Sequence, residues 1–333
     1  MLRNEMAFLS VCLNPTIQKT LRFPLIVPGT VNRAVSHRLD VSGKGINVTR
    51  VLTQLGEKAL HLTQLGGNMK PLFLSLCEQD GLSVESAESG SEIRFCYTIL
   101  TDSAVTELVE ESQPVASGTE KLLLEKFDML LKEGFKKTPG KGAENSKTEN
   151  FAYNTIIISG TKAAGFSDNI FPIMACKAKE KGMRIILDIR GKDLINCLKY
   201  EPDIIKPNLF EFASTFAPEL IKNNDVTINN RGEKETIKTI MAEISIKYKC
   251  RIILTNGSRK IMAADKNNFF ECDIPAVKAV NTIGCGDAFT AGLASALEDS
   301  RSAAQPFTFE AAIKKGIHCG ALNASLEKPG CIS

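Results

Sequence analysis

Short apolar runs alternate along this chain with stretches whose apolar positions recur at helical spacing. Residues 7–13 read as a strand that ends at Asn14-Pro15. Residues 155–159, 184–189, 203–206 and 251–255 are short and β-rich, each followed by polar or glycine residues. Between them, residues 120–136, 168–181 and 233–249 are amphipathic and read as helices. This alternation predicts an α/β fold with a mostly parallel sheet flanked by helices. Ligands in such folds bind beyond the carboxyl ends of the strands, where Asn14, Ser159, Asp188, Lys206 and Asn256 fall. Two segments break the alternation. Residues 16–42 mix β-formers with Pro24, Pro28 and Gly29, and residues 92–109 read as two strands around Thr101-Asp102-Ser103. Both look like antiparallel excursions that make a small β lid, which would exclude water from the chemistry; the alternative is a pair of ordinary surface hairpins. Residues 137–150 are polar and read as an exposed loop or disordered insertion.

Two glycine loops each open a helical pattern. In the run Asn281-Thr282-Ile283-Gly284-Cys285-Gly286-Asp287, the last residue stands where a helix begins, and Phe289, Leu293 and Leu297 follow at helical spacing among small residues. Such a loop offers unpaired backbone N–H groups and the positive end of the helix dipole, which suits a phosphate. A carboxylate in the same loop opposes anion binding. It makes sense as a base that takes the proton of an attacking hydroxyl, so the combination suggests phosphoryl transfer to an alcohol. The plainer alternative is a turn with Asp287 as helix cap. The second loop, Ser42-Gly43-Lys44-Gly45-Ile46-Asn47, leads into Val48, Val51, Leu52 and Leu55, with Gly56 as a stop. It lacks the Walker A spacing, and a Rossmann fingerprint is absent as well.

Composition narrows the reading. Hydrophobic residues make up 43% of the 333, enough for an ample core, and Lys+Arg of 41 against Asp+Glu of 38 leaves +3. No basic block with interleaved aromatics argues for nucleic acid. Ten scattered cysteines contain no Cys-x-x-Cys pair and only three histidines accompany them, which disfavours zinc. Arg3 and Glu5 ahead of a short apolar stretch do not read as a signal peptide, and no run approaches the roughly 20 apolar residues that span a bilayer. The expectation is a reduced, cytoplasmic protein with no membrane partner.

In order and spacing, the motifs resemble the PfkB family of sugar kinases, which have a ribokinase-like fold. Within it the nearest likeness is to the branch of 1-phosphofructokinases and tagatose-6-phosphate kinases. The likeness runs through Leu13-Asn14-Pro15, Val31-Asn32-Arg33, Gly43 to Leu52, Arg94, Thr106-Glu107-Leu108, Lys206-Pro207-Asn208 to Glu211, Asn281 to Asp287, and Leu322-Asn323-Ala324. It implies one kinase domain over 1–333, with lid segments near 16–42 and 92–109, using ATP and Mg²⁺. Asp287 would be the base, and Gly284, Cys285 and Gly286 would hold the transferred phosphoryl. Asn208 and Glu211 would orient water around Mg²⁺. Lys206, Asn256, Gly257 and Asn323 would serve the nucleotide. Asn14, Gln18, Arg33, Gly43, Lys44, Asn47 and Arg94 would serve the sugar, the two arginines gripping an existing phosphate. A homodimer through the lid is implied by the same likeness.

The departures fall mostly on the sugar side. Gln18 stands where the branch has Asp, Ser42 where it has Gly, and Thr161-Lys162-Ala163 where it has Ser-Leu-Pro. The nucleotide loop from Asn256 lacks a second glycine, and Cys285 replaces Ala. That thiol is either reactive near a helix N-terminus or a small buried filler. The pattern predicts retained phosphoryl transfer with altered acceptor recognition. A phosphorylated hexose leads, a free sugar or nucleoside follows, and a catalytically weak sugar-phosphate sensor is the reading of another class.

Overall fold

The computed structural model describes residues 6–137, 149–222, 225, 226, 228, 231–302 and 308–333. The strands, in chain order, are β1 (Met6–Leu13), β2 (Thr16–Arg22), β3 (Ser36–Ser42), β4 (Lys58–Leu65), β5 (Ser83–Glu88), β6 (Arg94–Leu100), β7 (Val105–Val109), β8 (Phe135–Lys137), β9 (Glu149–Lys162), β10 (Arg184–Asp188), β11 (Ile204–Ile205), β12 (Arg251–Leu254), β13 (Ile261–Asp265) and β14 (Asn268–Cys272). The helices are α1 (Lys44–Gln54), α2 (Lys70–Gln79), α3 (Thr119–Glu133), α4 (Ile170–Glu180), α5 (Gly191–Leu198), α6 (Leu209–Phe216), α7 (Arg231–Tyr248), α8 (Cys285–Ser302) and α9 (Phe309–Ala324).

The main sheet runs in the order β14-β13-β12-β11-β10-β9-β1-β4-β5. It is parallel from β12 to β5, and β13 and β14 add an antiparallel edge. The central strand β1 is buried at every position, as a strand covered on both faces must be. Its side chains alternate between two cores. Ala7, Leu9, Val11 and Leu13 face one that holds Phe127, Phe171 and Phe212 from α3, α4 and α6. Phe8 faces the other, with Val48, Val51, Ala291, Leu293, Ala294 and Ile313 from α1, α8 and α9. The small residues of α8 allow close approach there: a Cβ on Gly292 would lie 2.7 Å from Cys319 Sγ of α9.

The lid is a separate four-stranded sheet ordered β3-β2-β6-β7. The hairpin at 101–104 forms as the sequence suggests, with Thr101 N–H donating to the Ala104 carbonyl at 2.9 Å. Each excursion is an antiparallel hairpin, as expected, β2 with β3 and β6 with β7. Strands β2 and β6 come from separate excursions that leave the main sheet in the same direction, so they pair in parallel, Gln18 opposite Cys96. One expectation is corrected at its edges: 137–150 is not all loop. Lys137 closes β8, and Glu149 and Asn150 open β9, pairing antiparallel; residues 138–148 lie outside the described residues. The predicted strand at 155–159 is the middle of the much longer β9. Among the described residues, no helix is long and apolar enough to cross a membrane.

Helix α1 starts at the lid-to-core turn, and its first residues are packed without slack. A Cβ on Gly45 would lie 2.5 Å from His61 Cε1 and 2.8 Å from Cys12 Cβ. His61 is fully buried, and burial lowers its pKa to about 3, so it stays neutral and serves as packing. Gly45→Ala should therefore destabilise the fold by about 1–3 kcal/mol, the usual cost of overpacking, although Ala favours a helix over Gly by about 1 kcal/mol. Urea denaturation measures this, and an unchanged or higher midpoint would mean that His61 and Cys12 yield freely.

Candidate active site

The carboxyl ends of the parallel strands meet the head of α8 under the lid. The turn before α8 is possible only with glycine: Gly284 has φ +84°, and a Cβ there would lie 2.3 Å from the Gly330 backbone nitrogen. Ala288 N–H closes the first turn on the Gly284 carbonyl at 2.8 Å. The N–H groups of Gly286 and Asp287 therefore stand at the head of the helix, ahead of its internal ladder. Lys206, which follows β11 and is 3% exposed, brings its ammonium 3.8 Å from the position of a Cβ on Gly286. Backbone donors, helix dipole and ammonium converge here, and that suits an anion.

Two carboxylates face this point and differ in state. Asp188, at the end of β10, is 1% exposed. It lies between Lys44 Nζ and Lys206 Nζ, 3.1 Å from each, and accepts from Thr290 Oγ1 of α8 at 3.2 Å. Burial alone would raise its pKa, but Lys206 and Lys44 outweigh burial and hold it below the usual carboxylate range. Asp287 is 6% exposed and has no such direct pair among the described residues; it accepts from Asn47 Nδ2 at 2.8 Å. Burial pushes its pKa up to about 7, with Asp188 adding to the rise and Lys44, Asn47 and Lys206 opposing it. A carboxyl so placed exchanges a proton near neutrality, as a base does. Lys44 also reaches Glu211 Oε1 at 3.5 Å; burial works against its charge, but Asp188, Glu211 and Asp287 together raise its pKa.

Asn208 and Glu211 form a capping box at the start of α6. Glu211 N–H donates to Asn208 Oδ1 at 2.7 Å, and Asn208 N–H donates to Glu211 Oε2 at 2.9 Å. This leaves one carboxylate oxygen, beside Lys44, and an amide. That donor set does not make a protein cage, but it fits a cation held through its water shell. Beside it, Thr255 bridges to Asn208, and Asn256 and Gly257 form the exposed turn between β12 and β13, with Gly257 at φ +57°.

On the lid side, several buried polar atoms have no partner. Asn14 Nδ2 donates to Thr161 Oγ1 at 3.0 Å, but its Oδ1 is unpartnered, as are Ser159 Oγ, Thr20 Oγ1 and Arg94 Nε. Buried polar groups left this way are costly unless a ligand completes them. Gln18 is 1% exposed and donates to Thr98 Oγ1 at 2.6 Å. Gly43, at φ +110°, packs its Cα side on Asn14 and Pro15.

The structure thus gathers Asp287, Gly284, Cys285, Gly286, Lys44, Asn47, Lys206, Asn208 and Glu211 in one place, with Asn14 and Arg94 on the lid side. It does not draw in every expected residue. Arg33 is exposed in the loop between β2 and β3 and makes no ion pair among the described residues. Asn323 is fully buried: its Nδ2 donates to the Ile283 carbonyl at 2.9 Å, and its Oδ1 accepts from Cys331 N–H at 3.0 Å. It braces the glycine loop from behind. Burial raises the Cys285 thiol, which favours the filler reading over the reactive one. Asp188 was legible as a strand-end residue without a role; the lysine on each side of it supplies one. Thr290, one turn beyond Gly286, carried no signal beyond its place on the inner face of α8.

The pattern of the pfkB family carbohydrate kinases matches residues 5–333. A tagatose-6-phosphate kinase from Staphylococcus epidermidis is 28% identical over 328 residues, covering 98% of this chain and 94% of its own. Phosphofructokinase-2 from Escherichia coli, solved in complex with potassium, superposes with a TM-score of 0.77 at 18% identity, covering 96% of this chain and 93% of that one. A protein described as a possible 1-phosphofructokinase from Thermotoga maritima superposes with a TM-score of 0.76 at 17% identity, covering 97% and 93%. At these identities the two solved structures carry the fold, which is the ribokinase-like one. With its whole length matched and its site assembled at the strand ends, this chain belongs to the pfkB family of carbohydrate kinases.

Proposed function

We propose that the chain transfers the γ-phosphoryl group of ATP to a hydroxyl of a phosphorylated hexose of the fructose 1-phosphate, fructose 6-phosphate or tagatose 6-phosphate type. The observation that carries this is the buried Asp287 carboxylate at the head of α8, with a pKa near its working range and an ammonium and backbone donors beside it. In this reading the acceptor hydroxyl gives its proton to Asp287, while the N–H groups of Gly286 and Asp287 meet the charge that develops on the transferred phosphoryl. Lys206 faces the same charge. Lys44, fixed by Asp188, keeps a second cation beside it. Mg²⁺, when bound, would neutralise phosphate charge; Glu211 and Asn208 would hold its water shell. Asn256 and Gly257 supply a turn beside that site for the nucleotide. The unpartnered Asn14 Oδ1 and Ser159 Oγ are suited to sugar hydroxyls, and Arg94 Nε to the acceptor's own phosphate. The kinase is taken as one domain with its lid at 16–42 and 92–109. The exposed Val31, Val35, Leu108 and Val109 make the lid's outer face the natural contact for a homodimer. Ten unpaired cysteines support a cytoplasmic location.

Asp287→Asn should lower turnover by ~10²-fold or more, the scale of acid–base catalysis, and leave the KM for ATP near its wild-type value. Because the folded pKa of Asp287 is raised, its ionised form destabilises the fold as pH rises through about 7. At pH 8 the Asn variant should thus melt no lower than wild type, which separates lost chemistry from lost folding. In wild type, kcat/KM should fall on the acid side with a midpoint near pH 7, where the base becomes protonated. Near-normal turnover in the variant would sink the assignment.

Glu211→Gln should increase the Mg²⁺ needed for half-maximal activity, since a charged acceptor for the cation's waters is lost. A magnesium titration that does not move, with activity unchanged, would remove Glu211 from the cation's surroundings.

Arg94→Ala should weaken use of a phosphorylated sugar by about 2–5 kcal/mol, the cost of breaking a desolvated charge pair, with little change in the KM for ATP. Parallel assays on phosphorylated and free sugars decide it, and equal losses on both would point to lid packing instead.

A further inference from the structure

Asn47 holds Asp287 through its Nδ2, and what fixes that amide lies on its other side. Asn47 Oδ1 accepts from Arg50 Nη1 at 3.1 Å and from Ser42 Oγ at 3.3 Å. A guanidinium can only donate, so it admits only the oxygen end of the amide and turns the NH₂ end toward the carboxylate. A flipped amide would set carbonyl against carboxylate on one side and donor against donor on the other. Arg50 is 2% exposed and has little freedom of its own. Its Nε pairs with Asp80 Oδ2 at 2.9 Å, its Nη1 also reaches the Pro329 carbonyl at 3.1 Å, and its Nη2 donates to the Val41 carbonyl at 2.6 Å. Asp80 is bound in turn by Lys328. Next to Pro329, Gly330 closes the space behind Asn47: a Cβ on Gly330 would lie 2.3 Å from Asn47 Cβ.

We propose that Arg50 is a positioning residue for phosphoryl transfer, orienting the Asn47 amide so that it donates to Asp287, with segment 328–330 as the wall that keeps Asn47 in place. Arg50 does not reach the reacting atoms; it acts through Asn47 alone. The inference rests on Asp287 being the base.

A double-mutant cycle on kcat tests it. Asn47→Ala and Arg50→Lys should each lower kcat by roughly tenfold with little change in the KM for ATP, and the pair should lose no more than Asn47→Ala alone, because residues acting as one unit are not additive. Lysine keeps a cation for Asp80 but lacks the planar fork that spans Asn47 and the two carbonyls. Should Arg50→Lys fail to fold, Asp80→Asn loosens the same guanidinium from a partly buried position, and its smaller kcat loss should likewise vanish in the Asn47→Ala background. Losses that multiply in either cycle, or an Arg50→Lys enzyme with wild-type kcat, would overturn the positioning role. Full activity of Asp287→Asn would instead overturn the base assignment beneath it, so the two failures are distinguishable.

Discussion

The site depends on one buried carboxylate held between two lysines. Asp188 joins Lys44 at the head of α1 to Lys206 beyond β11, and Thr290 ties it to α8. Four elements are therefore registered by a single side chain. A buried ion is tolerated only when its charges and hydrogen bonds are met, and here each oxygen of Asp188 faces an ammonium. Removing it would leave two cations facing each other and the head of α8 without its link to the sheet. Both lysines are held in place by the same carboxylate, which is the preorganisation an electrostatic site requires.

This arrangement also explains why two neighbouring aspartates behave differently. Asp188 takes up the direct ion pairs, and its pKa falls. Asp287 is left with an amide donor, the burial cost and the negative charge of Asp188, and its pKa climbs to about 7. Separating two carboxyl groups by environment is how one site holds a permanent anion and an exchangeable proton at the same pH.

Much of this was legible in the sequence where local rules operate. The apolar runs marked β1, β10, β11, β12 and the middle of β9, though not the parallel strands β4 and β5, and the glycine loops marked the heads of α1 and α8. What could not be read depends on contacts far apart in the chain. The parallel pairing of β2 with β6 joins two excursions, and neither carries a mark of its partner's direction. Strand β13 is a short buried apolar run and β14 is short and partly polar, so neither shows the alternation that betrays a half-buried strand. The burial of Arg50 on α1 depends on Asp80 and on segment 328–330, both outside its own helix. Asn323, expected to serve the nucleotide, has its amide taken up by the Ile283 carbonyl and the Cys331 N–H, a pairing set by segments distant in the chain.

The departures from the family pattern are absorbed in a connected way. Ser42 donates to Asn47 Oδ1, Gln18 donates to Thr98, and Thr161 accepts from Asn14. Each of these three binds a neighbour, and two of those neighbours, Asn47 and Asn14, belong to the proposed acceptor face. The effect is not to fill that face, since Asn14 Oδ1 and Ser159 Oγ remain without partners. It is to fix which end of Asn47 is left free: its acceptor faces the Arg50 guanidinium, which only donates, so its donor turns to Asp287, whereas the Thr161 hydroxyl can donate or accept and does not by itself orient Asn14. Selectivity among sugars that differ in the placement of one hydroxyl depends on such commitments, since a polar group facing the wrong partner costs more than a lost contact.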